Sequence, residues 1–230
     1  MSGVTDPYQP GERRLRITRR CLEVLAEFRN PVGLITKNRL VTRDIDLLSE
    51  MARWNGAAVF LSVTTLDPQL SGVLEPRASR PAARLEAIRR LADAGVPVGV
   101  SAAPMIPGLT DHEVPAIVAA CAAAGATFGT YGVVRLPGAV EGLFDTWLAT
   151  HRPGHRAKVM NRIRGAHGGR ANDTSPGTRM KGDGPHADQI RGMWLSACRT
   201  TGLRHGGPWT PLDTSRFRRP PGPQADLFDA

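Results

Sequence analysis

Cysteine is scarce in this sequence, with three residues, Cys21, Cys121 and Cys198, spread over 230 positions. No two of them form a CxxC or CxxxCxxC group, which excludes a closely spaced metal site and argues against a disulfide framework. All three fall in segments of helical pattern among apolar neighbours. They are therefore predicted to be small core residues.

Long hydrophobic runs are also absent, so no membrane-spanning helix is predicted. The first residues, MSGVTDPYQPGERR, contain no apolar signal-peptide core, and cytoplasmic residence is the default expectation. Aromatic residues make up only 5% of the chain, and no stacking platform for nucleic-acid bases is evident.

Positive charge is abundant but unevenly distributed within a net charge of +9. Residues 1–150 contain 16 Lys and Arg against 15 Asp and Glu, whereas residues 151–220 contain 14 against 4. A basic C-terminal third suits contact with phosphate or nucleic acid. Only three of the 30 bases are lysine, and an arginine bias of this kind also arises from GC-rich coding DNA, so both interpretations stay open.

Helix and strand patterns alternate through the first 136 residues. Helices are predicted at 12–28, 43–54, 81–94 and 111–124, and strands at 32–36, 57–63, 96–103 and 127–134. This alternation predicts an α/β fold with a parallel sheet of about four strands and helical crossovers. After Arg135, residues 138–166 and 184–201 are predicted to be helical, and from Gly206 onward the chain is Pro-rich and predicted to be extended.

Small or polar residues stand where three of the predicted strands end. They are Thr36-Lys37-Asn38, Ser62-Val63-Thr64-Thr65 and Ala103-Pro104. A lysine after a buried strand is usually a solvated loop residue, but a hydroxyl at Ser62 inside an apolar strand needs a partner. Ligands of α/β proteins bind at the carboxyl ends of the strands, so these three ends form a candidate site.

Several longer segments form a combination that is specific, although each segment alone is weak. They are TDPYQPGERR (5–14), ITRRCLEVL (17–25), GLITKNRLVTRDIDLL (33–48), LSVTTLDPQL with EPRAS (61–79), VGVSAAPMIPGLTDHE (98–113), WLATHRPGHRAKV (147–159) and FRRPPGPQADLF (217–228). Together they resemble radical S-adenosylmethionine (SAM) enzymes, in the branch similar to spore photoproduct lyase.

The resemblance implies an incomplete (β/α)6 barrel, similar to a partial TIM barrel, whose strand ends hold SAM beside a [4Fe–4S] cluster. In that family one electron from the cluster cleaves SAM to methionine and a 5′-deoxyadenosyl radical, which abstracts a substrate hydrogen. Lys37 matches a lysine that contacts the amino-acid moiety of SAM, Ser62 a serine near the ribose or carboxylate, and Ala103 a backbone position facing the adenine. Glu75 would line the site or form a structural ion pair with an arginine.

The sequence departs from this family because the CxxxCxxC loop that binds the cluster is missing. A [4Fe–4S] cluster needs thiolate ligands, so the chain alone is not expected to perform the radical step. Matching begins at TDPYQP, which resembles the end of the second barrel strand, so the earlier strands and the cluster ligands would lie upstream of Met1. Gly3 stands where photoproduct lyases place a hydrogen-donating cysteine, which speaks against dimer repair.

Three explanations stay open for this departure. The chain is the C-terminal part of a radical enzyme whose start is mis-called or whose gene is split, or it is a degenerate remnant, or it is a non-catalytic partner that retains a SAM pocket. In the split case the missing N-terminal segment is a partner of this chain. We divide the chain into a partial barrel at 1–136, a basic helical extension at 137–205 and a Pro-rich flexible tail at 206–230.

The end of the tail carries a second resemblance, in Gln224-Ala225-Asp226-Leu227-Phe228. Short peptides of this pattern bind bacterial DNA-repair and replication proteins to the sliding clamp, with Gln224, Leu227 and Phe228 at the matching positions. A mobile arm would present two apolar anchors to a hydrophobic pocket, unless Leu227 and Phe228 fold back onto the domain. The alternative for the whole chain is therefore a non-catalytic basic module that binds nucleic acid or the sliding clamp.

Overall fold

A parallel sheet of five strands organises the protein, in a computed structural model that describes residues 5–219. The strands lie in chain order and are β1 (Val32–Thr36), β2 (Ala57–Ser62), β3 (Val98–Met105), β4 (Phe128–Val133) and β5 (Arg204–His205). Every neighbouring pair is parallel. Each connection therefore crosses back along the sheet, and helices supply the crossovers.

Nine helices accompany the sheet within the described range. They are α1 (Glu12–Leu15), α2 (Ile17–Glu27), α3 (Ile45–Ala52), α4 (Pro68–Leu74), α5 (Pro81–Asp93), α6 (Val114–Ala123), α7 (Val140–His151), α8 (Arg156–Gly165) and α9 (Pro185–Thr201). Short 3₁₀ turns occupy Arg39–Asp44, Asp111–Glu113 and Pro153–His155.

The predicted α/β fold with parallel strands is confirmed, and each of the four predicted strands lies within two residues of its observed bounds. The count of about four strands is corrected to five, because the two residues of β5 pair with β4. The predicted helix at 12–28 is interrupted at Arg16, whose φ of 52° is left-handed. Helix α4 lies between residues 63 and 81, where no helix or strand is predicted. It is stabilised by Asp67, whose side chain accepts hydrogen bonds from the backbone at the helix start.

The two faces of the sheet differ in character because successive strand residues point to opposite sides. One face buries Leu34, Val59 and Val100 in the main hydrophobic core, together with residues of the helices α3, α5, α6 and α9. The other face, which we call the inner face, carries the alternate strand residues. These include Ile35, which is 43% exposed, and Phe60. Neither of the two belongs to the main core.

The C-terminal elements share in this packing. Helix α9 lies against α6 and buries Trp194, whose Nε1 donates a hydrogen bond to Nδ1 of His205 on β5 at 3.0 Å. Helices α7 and α8 bury Leu148 and Ile163 in a second hydrophobic cluster, which also contains Ile106 from beyond the end of β3. The division of the chain at residue 136 stays a prediction.

Residues 206–219 cross the amino-terminal side of the sheet. The backbone N–H of Asp213 donates to the carbonyl of Asn55 at 3.0 Å, and that of Arg218 donates to the carbonyl of Phe28 at 2.9 Å. The predicted clamp-binding residues at the end of the tail, and Gly3, lie outside the described residues. Within residues 5–219 no helix is long and apolar enough to cross a membrane.

Replacing Trp194 with alanine tests whether α9 is part of the main core. Trp194 is fully buried, so Trp194→Ala is expected to lower the free energy of unfolding by about 3–5 kcal/mol. Trp209 is 65% exposed and lies over the guanidinium of Arg204, so Trp209→Ala should cost about 1 kcal/mol or less. Urea denaturation measures both. Equal losses would show that α9 does not pack as described.

Candidate functional site

The three residues predicted to bind SAM meet at the carboxyl edge of the sheet. The register of β1 and β2 places Lys37 beside Ser62, and Ser62 pairs with Ser101 on β3. Ala103 lies two residues beyond Ser101 on the same strand. The structure thus brings the three predicted residues to one edge of the sheet, and their role in binding stays a prediction.

Two further hydroxyls extend this arrangement, and sequence reasoning missed both. Ser101 pairs with Thr130 on β4, so Ser62, Ser101 and Thr130 form a row across three strands on the inner face. Ser62 and Ser101 are buried, yet within residues 5–219 neither hydroxyl has a hydrogen-bond partner. Neither oxygen is among the fully buried side-chain atoms that lack a partner in the described structure, so both are open to solvent and the row has unused capacity for a ligand or for water.

The inner face beside Ala103 carries almost no side-chain bulk. A Cβ added at Gly132 on β4 would lie 3.3 Å from the Cβ of Ala103. The two residues therefore contribute only a methyl group and a hydrogen atom where β3 and β4 end. The carbonyl oxygen of Met180 lies at the same 3.3 Å from the Cβ added at Gly132, so the space beside Gly132 is taken. Ala103 is half-buried, and its methyl group leaves its backbone open to a planar group.

Lys37 belongs to an ion-pair network at the same edge. Its Nζ lies 2.5 Å from Oε1 of Glu75, and Oε2 of Glu75 lies 2.5 Å from the guanidinium of Arg84. Arg84 is 1% exposed and donates to the carbonyl oxygen of Ser62 at 2.8 Å. The ion pair between Glu75 and an arginine is present, but in the described structure the arginine is Arg84 on α5 and not Arg77 of the segment Glu75-Pro76-Arg77.

The charges of this network decide the state of Glu75. Burial raises the pKa of its carboxyl group, but the positive charges of Lys37 and Arg84 outweigh burial and leave the pKa below its usual value. Glu75 is therefore ionised at neutral pH and faces two cations. The network keeps one net positive charge, and Lys37, with 30% of its side chain exposed, is the member that can meet a ligand.

The N-terminal residues hold the end of β1 in place. Asp6 accepts hydrogen bonds from the hydroxyl of Thr36 at 2.6 Å and from the backbone N–H of Lys37 at 2.8 Å. The carbonyl of Tyr8 accepts a hydrogen bond from the side chain of Asn38 at 2.8 Å. The TDPY segment therefore lies against the carboxyl end of β1.

The three cysteines are free and form no metal-holding group in the described structure, so they do not fit a [4Fe–4S] cluster. Cys121 and Cys198 are buried as predicted, whereas Cys21 is exposed, which corrects its assignment to the core. Burial raises the pKa of the Cys121 thiol to about 12 and that of Cys198 to about 11, so both stay protonated. In the described part of the chain no three His, Cys, Asp or Glu residues are grouped to hold a metal ion.

Comparison with known proteins gives a consistent result. Residues 1–121 match the radical SAM superfamily. An uncharacterized protein of Mycobacterium tuberculosis is 35% identical over 151 residues, which cover 65% of this chain and 44% of that protein. An uncharacterized protein of Acidianus two-tailed virus is 36% identical over 107 residues, which cover 46% of this chain and 34% of that protein. An uncharacterized protein of Methanocaldococcus jannaschii is 30% identical over 113 residues, which cover 49% of this chain and 42% of that protein. The chain thus spans less than half the length of each of these relatives.

Replacing Glu75 with glutamine tests the ion-pair network. Glu75→Gln leaves the buried guanidinium of Arg84 without a carboxylate, and the free energy of unfolding should fall by about 3–5 kcal/mol. Glu86 forms an exposed pair with Arg89, so Glu86→Gln is the matched control and should change stability far less. Urea denaturation at pH 7 measures both. A similar loss in the two variants would contradict the network.

The pH dependence of unfolding gives an independent test. The pKa of Glu75 is about 4.3 in the unfolded chain and lower in the folded protein. Ionisation of Glu75 therefore adds stability that is present above about pH 4.3 and is lost as the pH falls through the folded pKa. The stability gap between wild type and Glu75→Gln should therefore shrink when the pH is lowered from about 5 to 3. A gap that stays constant over this range would rule out a contribution from the charge.

Proposed function

Because the chain belongs to the radical SAM superfamily, we propose that it is the SAM-binding, C-terminal part of a radical SAM enzyme in the branch similar to spore photoproduct lyase. The observation that carries this proposal is that Lys37, Ser62, Ser101 and Ala103 lie together at the carboxyl edge of the parallel sheet. This edge is where α/β proteins bind their ligands.

The chemistry of these residues suits the parts of SAM. One of the three ammonium donors of Lys37 is used by Glu75, which leaves donors for the SAM carboxylate. The hydroxyls of Ser62 and Ser101 suit the ribose or the carboxylate, and the small side chain of Ala103 leaves space for the adenine. When bound beside a reduced cluster, SAM supplies the radical chemistry that the superfamily uses.

The cluster ligands are proposed to lie on a segment outside these 230 residues. The three cysteines here are separated, and the relatives are more than twice as long as the matched region. Such a segment would add two strands beside β1, near the end where Asp6 is held, and with β1 to β4 would complete a (β/α)6 barrel that has β5 as a short extra strand at its other edge. On this proposal the 230 residues alone are inactive, and the substrate after SAM cleavage is not specified.

A non-catalytic module that contacts nucleic acid is the alternative, and the basic C-terminal third favours it. A cavity of about 650 Å³ is lined by Arg152, His155, Lys158 and Arg162, and also by the carboxylates of Asp67, Asp111 and Glu113. In the described structure neither Arg152 nor Lys158 has a carboxylate oxygen within 4.0 Å. Salt-sensitive DNA binding by the purified chain, without iron uptake, would support this alternative over the enzyme.

SAM binding tests the proposed site directly. Lys37→Met removes the cation and Ala103→Leu adds bulk to the inner face at the end of β3, so each is expected to weaken SAM binding about tenfold or more in equilibrium dialysis. Arg39→Met removes an exposed charge two residues from Lys37 and should leave SAM affinity unchanged. Unchanged affinity in both Lys37→Met and Ala103→Leu would reject this site.

The reaction is tested on a version of the protein extended at its N-terminus to include a CxxxCxxC segment. After anaerobic reconstitution with iron and sulfide and reduction of the cluster with dithionite, the extended protein should form 5′-deoxyadenosine from SAM, whereas the 230-residue chain under the same conditions should not. An extended protein that holds a cluster and binds SAM but forms no 5′-deoxyadenosine would count against the enzyme.

A further inference from the structure

A second pocket, of about 440 Å³, lies at the β4–β5 side of the sheet. Its walls come from four parts of the fold: Tyr131 on β4, Lys181 on the loop between α8 and α9, Arg191 on α9 and His205 on β5. Tyr131 projects toward the main core, the opposite direction from the hydroxyl row. The pocket is therefore separate from the SAM site proposed above.

The groups that line this pocket are hydrogen-bond donors. Nζ of Lys181 lies 4.0 Å from the centre of the Tyr131 ring. Because Nδ1 of His205 accepts a hydrogen bond from Trp194, neutral His205 carries its proton on Nε2. Lys181, Arg191, Nε2 of His205 and the hydroxyl of Tyr131 thus all have protons to offer.

These donors have no matching acceptor from the protein. In the described structure no carboxylate oxygen lies within 4.0 Å of Lys181 or Arg191. Asp183 and Asp188 also line the pocket and are exposed, as Arg191 and His205 are, and Asp183 accepts a hydrogen bond from the backbone N–H of Gly184. Burial raises the pKa of the Tyr131 hydroxyl, and Asp188 is near enough to add to this effect. Within the described residues neither carboxylate is paired with Lys181 or Arg191, and the half-buried ammonium of Lys181 lies over the ring of Tyr131.

The titration of the pocket reflects burial and the repulsion between its cations. Burial lowers the pKa of Lys181, and the charge of Arg191 lowers it further. Burial lowers the pKa of His205 as well, and both Lys181 and Arg191 add to this effect. A bound anion would oppose these repulsions.

We propose that this pocket binds phosphate, either as the free ion or as the phosphoryl group of a phosphomonoester. The donors come from four different elements, and a tetrahedral oxyanion accepts hydrogen bonds from all sides, whereas a carboxylate accepts them near one plane. Gly177 and Gly182 line the pocket with φ of 95° and 71°, a conformation that glycine adopts without strain. The inference goes beyond the proposed function and does not depend on it.

The first test needs no substitution and follows His205 in the wild-type chain by NMR of ¹⁵N-labelled histidine. Inorganic phosphate should raise the pKa of His205, because a bound anion offsets the charges of Lys181 and Arg191. Potassium chloride at the same ionic strength is the control for screening, and the exposed His151 is an internal reference. A pKa of His205 that responds equally to the two salts would overturn the proposal.

The second test measures phosphate affinity by titration calorimetry. Lys181→Gln and Arg191→Gln should each weaken binding about tenfold or more, since each removes a charged donor. Arg199→Gln, which removes an exposed charge two turns further along α9, should leave the affinity unchanged. Equal affinity in Arg191→Gln and Arg199→Gln would overturn the proposal.

The source of the phosphate is decided by comparing two probes. Glycerol 3-phosphate that binds at least as tightly as inorganic phosphate would identify a phosphomonoester ligand, and preference for inorganic phosphate would identify the free ion. Both outcomes support a phosphate site. If neither probe binds, the phosphate proposal fails. That outcome would not bear on SAM binding, which Lys37→Met tests separately.

Discussion

The guanidinium of Arg84 is the constraint on which the carboxyl edge of the sheet depends. It is 1% exposed, so the charge must be compensated and its donors satisfied inside the protein. Its Nε donates to the carbonyl of Ser79 at 2.7 Å, and its other nitrogens bind the carbonyl of Ser62 and the carboxylate of Glu75. One side chain of α5 thereby fixes the end of β2 and the loop that follows α4.

Glu75 transmits this constraint to the neighbouring strand. Its carboxylate also accepts from the ammonium of Lys37 and from the hydroxyl of Thr64 at 3.1 Å. The end of β1 is held from its other side by Asp6. Lys37 is thus positioned by two carboxylates before any ligand arrives, and a positioned donor loses little freedom when it binds.

The lysines show how differently the fold treats the same side chain. Lys37 meets a buried carboxylate, whereas Lys181 lies over an aromatic ring with no carboxylate near it in the described structure. A paired lysine contributes to the stability of the site, and an uncompensated one gains a partner only when an anion binds. For this reason we propose different ligands for the two places: SAM at the carboxyl edge near Lys37, and phosphate in the pocket that contains Lys181.

The elements of the fold were predictable from local patterns. Val98 and Val100 alternate along β3, and Leu85, Ile88 and Leu91 recur at helical spacing in α5, because burial of one face imposes these periods on any sequence. The strand ends were also predictable, and with them the location of Lys37, Ser62 and Ala103 at the carboxyl edge of the sheet. Helix α4 and the two residues of β5 were missed because elements this short leave little periodicity to detect.

The sequence by itself therefore determined the α/β class, the order of the elements and the segments that relate the chain to its superfamily. Only the tertiary structure decided that Ser101 and Thr130 join Ser62, that Arg84 is the partner of Glu75, and that Lys181, Arg191 and His205 share a pocket. The physical reason is that strand register and helix docking bring together residues far apart in the chain. Local propensity contains no information about these contacts.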